Sequence, residues 1–128
     1  MLTRAIVKAV DDSEALQTLR VTGLAGETMD QVERLGEYGL ASVPPKGSDA
    51  VLAAIGASRS HSVVIGVEDR DTRPKGLKPG ETCLYNGPAG QQVYLREDGS
   101  ILIKGGSLRV EATGEVSVAA QSLIATVL

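Results

Sequence analysis

Turn signals recur at short, nearly constant intervals in the last third of the chain. They fall every seven or eight residues, at Asp98-Gly99, Gly105-Gly106, Thr113-Gly114 and, more weakly, Gln121-Ser122. Between them apolar and polar residues alternate with a period of two, which predicts short β-strands. A fixed repeat of strand and turn is typical of a β-solenoid, so this pattern limits the fold more than any other feature of the sequence.

The alternation also assigns a side to each residue, because successive side chains of a strand point to opposite faces. Polar residues such as Arg109, Glu111 and Ser117 fall on the outward side. The residues that fall on the inward side are Leu108, Val110, Ala112, Val116, Val118 and Ala120. We predict that these six pack around the axis of a trimer.

A single copy of this ribbon would not be stable by itself. Its strands are about five residues long, and two-stranded pieces are marginal in water. Ordering each residue costs about 1.5 kcal/mol, while the apolar face would stay wet and the strand edges would stay unpaired. Three copies wound around one axis bury the three faces against each other and pair the edges. Small residues such as Ala112 and Ala120 suit so narrow an axis.

Composition supports narrow packing and excludes several classes of protein. The chain has no Phe, no Trp and three Tyr, so its apolar content comes from Ala, Val, Leu and Ile. A net charge of −3, with acids and bases interspersed, does not fit the basic surface of a nucleic-acid binder. No apolar run is long enough for a transmembrane helix. Cys83 has no partner for an intrachain disulfide, and we expect synthesis in the reducing cytoplasm.

The first ninety residues contain several short apolar stretches between turn signals. Strands are predicted over 4–10, around Leu16, Leu19 and Val21, over 50–55 and over 62–67. Met29, Val32 and Leu35 have helical spacing, but glycines flank them closely and we expect an extended or irregular segment. Several short strands at close spacing indicate a small barrel or a sandwich.

Loops divide the chain. Two prolines place residues 43–47 in a loop, since proline cannot take part in the interior of a ladder. Residues 70–79 form a polar linker with two prolines and one glycine, and Gly87-Pro88-Ala89-Gly90 is a second break. Either could end the first domain. We place the domains at 1–90 and 91–128.

Some segments have no simple compositional explanation. They are 32–44 (VERLGEYGLASVP), Gly47 with 49–51, 59–67 with His61, Asp69 with 75–81 (KGLKPGE), and Leu84-Tyr85. Together, and over nearly the whole chain, they resemble the central spike proteins of Mu-like contractile-tail phages.

The resemblance implies a fold, a function and a set of partners. The fold is all-β, an N-terminal OB-fold-like barrel followed by an intertwined trimeric triple-stranded β-helix. The function is that of a rigid needle in the tail baseplate of the virion, driven through the host outer membrane by sheath contraction. The implied partners are two further copies of the chain, the tail hub and baseplate proteins, and the host outer membrane. Catalytic residues, a cofactor and nucleic-acid binding are not expected.

One part of the family pattern is missing. Related spikes often end in a His-x-His tip that holds iron on the three-fold axis, whereas His61 is the one histidine here and lies far upstream. No metal ligand carries over. The last residues, 122–128, are almost wholly apolar and would leave an uncovered end. We therefore expect an apex segment or a separate tip protein to follow Leu128.

Residues that could suggest chemistry have simpler interpretations. His61 has no visible catalytic or metal-binding partner, and Cys83 fits a small inert filler. Asp11, Asp12 and Glu14 could suggest a cation site, but a solvated turn is the commoner structure for such a cluster. The glycines at 76–80 and 87–90 lack the strand, helix and Gly-Lys-Ser/Thr of a phosphate loop.

Two other functions compete with the spike. One is an OB-fold module that binds oligosaccharide or nucleic acid, which would need stacking aromatics and a basic groove. Retention on heparin or single-stranded DNA would distinguish it from a spike. The other is a cell-wall hydrolase, which needs two carboxylates at a set separation in a cleft, whereas the acids here are dispersed.

Overall fold

The computed structural model describes residues 1–57 and 61–128, and its strands form two sheets. Arg59 and Ser60, part of the segment 59–67 that carries the resemblance, lie outside the described residues. The first sheet contains β1 (Leu2–Asp11), β2 (Thr18–Gly23), β3 (Thr28–Arg34), β4 (Asp49–Ala54) and β5 (Ser62–Glu68). The second contains β6 (Thr82–Tyr85), β7 (Gln92–Leu95) and β8 (Ile101–Lys104).

The first sheet closes on itself as a barrel in the order β1-β2-β3-β5-β4. Four of its pairings are antiparallel, and the β3–β5 pairing that completes the ring is parallel. Closure removes free strand edges, which a sandwich would keep. The all-β class is confirmed. Of the two architectures that spacing allowed, the barrel is the one formed, and it agrees with the OB-fold-like barrel implied by the resemblance.

Small aliphatic side chains fill the barrel interior. The core cluster consists of Ala5, Val7, Leu19, Val21, Val32, Ala50, Leu52 and Val64. A five-stranded barrel has a narrow interior, so valine and leucine fill it to interior density without aromatic rings. The barrel interior therefore needs neither Phe nor Trp, which agrees with the absence of both from the sequence.

Strand bounds differ from the sequence predictions by a few residues. β1 is longer at both ends than the predicted 4–10. Leu16 lies outside β2, in an exposed loop, so its assignment to that strand was wrong. Ile55 ends the apolar run but begins a short 3₁₀ turn, Ile55–Ala57, instead of continuing β4.

The segment with helical spacing is strand β3, and a bulge explains the spacing. β3 pairs Met29 with Val21 and Val32 with Leu19, so two residues of β3 face one residue of β2. Gln31, one of the two, has a φ of 53°. The extra residue keeps Met29 and Val32 on the core side although they are three positions apart. The extended structure expected here is confirmed.

Residues 69–81, which we call the connector, contain no strand and join the barrel to the second sheet. That sheet has the order β6-β7-β8 with both pairings antiparallel. The first sheet therefore ends at Glu68, and the second sheet begins at Thr82. A domain boundary at residue 90 stays a prediction.

Candidate functional site

The six residues predicted for the trimer axis lie after β8, in a segment without a strand partner in its own chain. All residues from 105 to 128 are exposed, and none of them forms a strand there. Leu108, Val110, Val116 and Val118 are between 59 and 71% exposed. Within residues 1–57 and 61–128 no strand lies beside this segment, and the strands predicted for it are not formed in a single chain. A single chain does not bring the six together, and the axis stays a prediction.

An ion pair shows which side chains of this segment share a side. The Arg109 guanidinium contacts the Glu111 carboxylate, and both side chains are well exposed. Residues two apart share a face of an extended chain. The pair therefore lies on the side that the alternation assigns to solvent, opposite Leu108 and Val110. Its contribution to stability is small, as for most exposed pairs.

One face of the second sheet is a further apolar surface, which the sequence analysis missed. Leu84 pairs with Val93, and Val93 pairs with Ile103. In the next row Leu95 pairs with Ile101. Directly paired residues point to the same face of a sheet, so these five side chains are contiguous. We call this surface the sheet face.

The sheet face is largely uncovered in a single chain. Leu84, Leu95, Ile101 and Ile103 are between 44 and 63% exposed, and Val93 is half-buried. Soluble proteins rarely expose contiguous apolar surface unless another molecule covers it. The sheet face is therefore a candidate interaction surface, and the chain continues from it directly into residues 105–128.

The opposite face of the sheet carries Tyr94 between Cys83 and Leu102, and Glu81 binds the Tyr94 hydroxyl. The Glu81 carboxylate accepts hydrogen bonds from the Lys78 N–H at 2.9 Å, the Tyr94 hydroxyl at 2.7 Å and the Glu97 N–H at 3.0 Å. The Lys78 N–H, then the Tyr94 hydroxyl and the Glu97 N–H, hold the pKa of Glu81 at about 2 instead of 4.5. Glu81 thereby ties the end of the connector to β7 and to the turn that follows it.

We expect Glu81→Gln to lower the melting temperature at neutral pH but not in strong acid. The pKa of Glu81 is depressed in the folded state, so its stabilisation is fully present above 4.5 and is lost as the pH falls towards about 2. Melting curves of parent and variant should therefore differ near neutral pH and converge at low pH. Glu14→Gln, in the exposed β1–β2 loop, is the control. Equal effects of the two substitutions would contradict the role of Glu81.

The residues considered for chemistry lie in separate places. The Asp11 carboxylate accepts the Ser13 hydroxyl at 2.6 Å and the Ser13 N–H at 2.9 Å, and these bonds lower the pKa of Asp11. His61 is exposed and Cys83 is half-buried in β6. In residues 1–57 and 61–128, no three His, Cys, Asp or Glu side chains lie where they could hold a metal ion together. Within the same ranges, no helix has the length and apolar character needed to cross a membrane.

A groove of about 500 Å³ lies between β5 and the loop that follows β3. Its apolar lining includes Leu35, Leu40 and Ile65, and no aromatic ring lines it. The Arg34 guanidinium at its rim donates to the carbonyl of Ser42 at 2.8 Å and to its hydroxyl at 3.0 Å. This cation therefore braces its own loop, and the groove offers neither the stacking rings nor the free cations that bind single-stranded nucleic acid.

Comparison with known proteins places the barrel in a family. The model of the family "Bacteriophage Mu Gp45, N-terminal" matches residues 4–71, which contain β2 to β5 completely and β1 except for its first two residues. The chain belongs to this family. The resemblance noted in the sequence is thereby confirmed.

Two relatives extend the similarity beyond the barrel. The chain is 38% identical over 118 residues to the "Baseplate puncturing device gp45" of Escherichia phage Mu, covering 92% of this chain and 59% of that protein. It is 35% identical over 123 residues to the "Mu-like prophage FluMu protein gp45" of Haemophilus influenzae, covering 96% of this chain and 66% of that protein. The chain thus spans about three fifths of the length of one relative and about two thirds of the other.

Proposed function

We propose that the chain is a subunit of the central spike in the baseplate of a contractile-tail phage or prophage, located in the virion. It acts as a homotrimer that pierces the host outer membrane. The observation that carries the proposal is the run of uncovered apolar side chains on the sheet face and along residues 105–128. Family membership supports it, since a relative is named a baseplate puncturing device.

Three copies are the arrangement that best covers these side chains. Burying one leucine, isoleucine or valine side chain contributes about 1.5–3 kcal/mol, and each copy brings the same apolar row. Within the described residues β6 and β8 each pair only with β7, so each has one open edge. Neighbouring copies offer edges of the same kind. An intertwined triple-stranded β-helix would bury the sheet face together with the six axis residues and leave no edge free.

The direction of the strands supports a different role for each end of the barrel. β1, β3 and β5 run the same way, so the chain leaves β5 at the end that carries the β1–β2 and β3–β4 loops. The needle therefore starts at this end. The other end carries the β2–β3 loop with exposed Leu24, and exposed Leu2 at the start of β1. We assign that end to the tail hub, with the barrel as a collar.

The working property of such a part is stiffness, and no residue has a catalytic role in this proposal. A closed barrel and a closed three-chain helix both join their strands through backbone hydrogen bonds, which resist bending and separation. Membership of a family with baseplate parts supports a structural role over an enzymatic one. The alternative, an OB-fold module that binds oligosaccharide or nucleic acid, has less support, because no aromatic ring lines the groove beside β5.

The mass of the particle in solution tests the proposal. We expect three times the chain mass of 13.3 kDa, because the apolar rows are covered only when copies assemble. Light scattering and native mass spectrometry would measure it, with denaturant added to show that the trimer persists. A folded monomer, with the apolar segment exposed and no tendency to associate, would overturn the spike interpretation.

A further inference from the structure

We propose that the connector is rigid, and that it transmits force between the barrel and the second sheet without changing its own conformation. Its composition, with Pro74, Gly76, Pro79 and Gly80, is typical of a loop. The structure nevertheless fixes the connector on both sides of residues 74–77, through contacts of residues 69–73 and of residues 78–81. The transmission of force rests on the proposed spike function, whereas the rigidity of the connector is a property of the chain that can be measured separately.

The first anchor holds the start of the connector to the barrel wall. Arg70 donates through Nε to Asp49 Oδ2 at 2.7 Å and through its terminal nitrogen to Oδ1 at 3.0 Å. Such two-pronged pairing fixes direction as well as distance. Asp49 is the first residue of β4, and its side chain is 15% exposed. Arg4 of β1 approaches the same carboxylate at 3.5 Å, so three segments meet at one acid.

Residues 69–73, at the start of the connector, form a tight turn. The Asp69 carboxylate accepts the Asp71 N–H at 3.3 Å and the Thr72 hydroxyl, and the Asp69 carbonyl accepts the Arg73 N–H at 3.0 Å. The Asp69 side chain thus replaces backbone partners inside the turn. The turn sets the position of Thr72.

Thr72 of the connector contacts Gly87, which lies in the turn between β6 and β7. A Cβ at position 87 would lie 2.1 Å from Thr72 Oγ1 and 2.8 Å from Thr72 Cβ. No side chain fits at these distances, so the β6–β7 turn rests directly on the connector. This contact is steric and does not weaken with salt.

A polar contact joins the last residue of the barrel to the last residue of β6. The Tyr85 hydroxyl donates to Glu68 Oε1 at 3.2 Å, and Arg73 Nε approaches the same oxygen at 3.2 Å. Glu68 ends β5 and Tyr85 ends β6. Barrel and sheet are therefore linked without the connector backbone as intermediary.

The far end of the connector is closed by the Glu81 network. The Glu81 N–H donates to the Lys78 carbonyl at 3.0 Å, which forms a turn, and the Lys78 ammonium pairs with Glu97 at 3.1 Å. Exposed pairs of this kind each contribute little. Four contacts with different partners, one of them steric, nevertheless leave the connector few conformations.

Trypsin can report on this rigidity, because cleavage requires the chain to open locally. Lys75 is followed by Gly76 and lies in the middle of the connector. We expect slow cleavage after Lys75 in the parent protein. Gly87→Ala should raise the rate about tenfold, since the new Cβ pushes the turn away from Thr72 and favours the open form. Gly36→Ala, with no atom within 4 Å of the new Cβ, is the control and should leave the rate unchanged.

A second variant, Arg70→Gln, tests the connector without introducing a steric clash. Arg70→Gln removes the pair with Asp49, and Arg20→Gln removes an exposed pair of similar geometry, Arg20 to Asp30 at 2.8 Å. Only Arg70→Gln should speed cleavage after Lys75. The proposal is overturned if the parent is cut there as fast as the denatured chain, or if neither variant exceeds its control. Trimer mass, measured on the same samples, reports on the spike function independently.

Discussion

Val110→Asp should abolish the trimer, whereas Arg109→Ser should leave it almost unchanged. In a single chain Val110 is 66% exposed, so an aspartate there would change monomer stability by only about 0.5 kcal/mol. In the proposed trimer three carboxylates would meet near the axis. An unpaired buried charge costs several kcal/mol even after relaxation, and the cost is incurred three times.

Native mass spectrometry and melting curves on both variants would measure the difference. Arg109→Ser is the matched control because it changes the adjacent residue, whose side chain pairs with Glu111 on the opposite side. Its cost should be that of one exposed ion pair, within about 1 kcal/mol. Equal melting of the two variants would show that the inward and outward sides are wrongly assigned.

Most strands of the barrel could be predicted because they follow a local rule, although their spacing left a barrel and a sandwich equally open. Leu19 and Val21 lie in the core and alternate with the polar residues Thr18, Arg20 and Thr22. Such alternation requires no knowledge of which strands are neighbours. The β3 segment was harder, because the bulge at Gln31 shifts the period from two to three and imitates a helix. The close glycines were the signal that favoured extended structure.

The sheet face could not be found from periodicity, because it depends on register between strands. Alternation shows that Ile101 and Ile103 share a side of β8, but not that Val93 and Leu84 lie beside Ile103. β6 also falls before residue 90, where the sequence suggested that the first domain ends. The signal that was present is the spacing of Val93 and Leu95, which continues the repeat of the later strands.

The rigidity of the connector could not be predicted from the sequence either. Its prolines and glycines correctly predict the absence of strands. Its rigidity depends on contacts such as Arg70 with Asp49, 21 positions apart, and Tyr85 with Glu68, 17 positions apart. Composition describes the freedom of a chain before it folds. It does not show which side chains meet afterwards.

Ile103→Asp should also disrupt the trimer, and this would show that the contact between copies includes the sheet face. Ile103 is 58% exposed in the single chain, so the substitution is nearly neutral unless another copy covers it. Where copies do cover it, each trimer acquires three buried carboxylates beside apolar neighbours, at several kcal/mol each. The expected result is loss of the trimer at concentrations where the parent is fully assembled.

Lys104→Asp is the matched control, because it introduces the same residue one position later, on the opposite face of β8. Lys104 pairs with Gln92, away from the sheet face, and an exposed charge reversal should change stability by about 0.5 kcal/mol. Sedimentation of the two variants over a range of concentrations separates assembly from folding. If Ile103→Asp assembled as well as Lys104→Asp while Val110→Asp did not, copies would contact each other along residues 105–128 alone, and the sheet face would have a different partner.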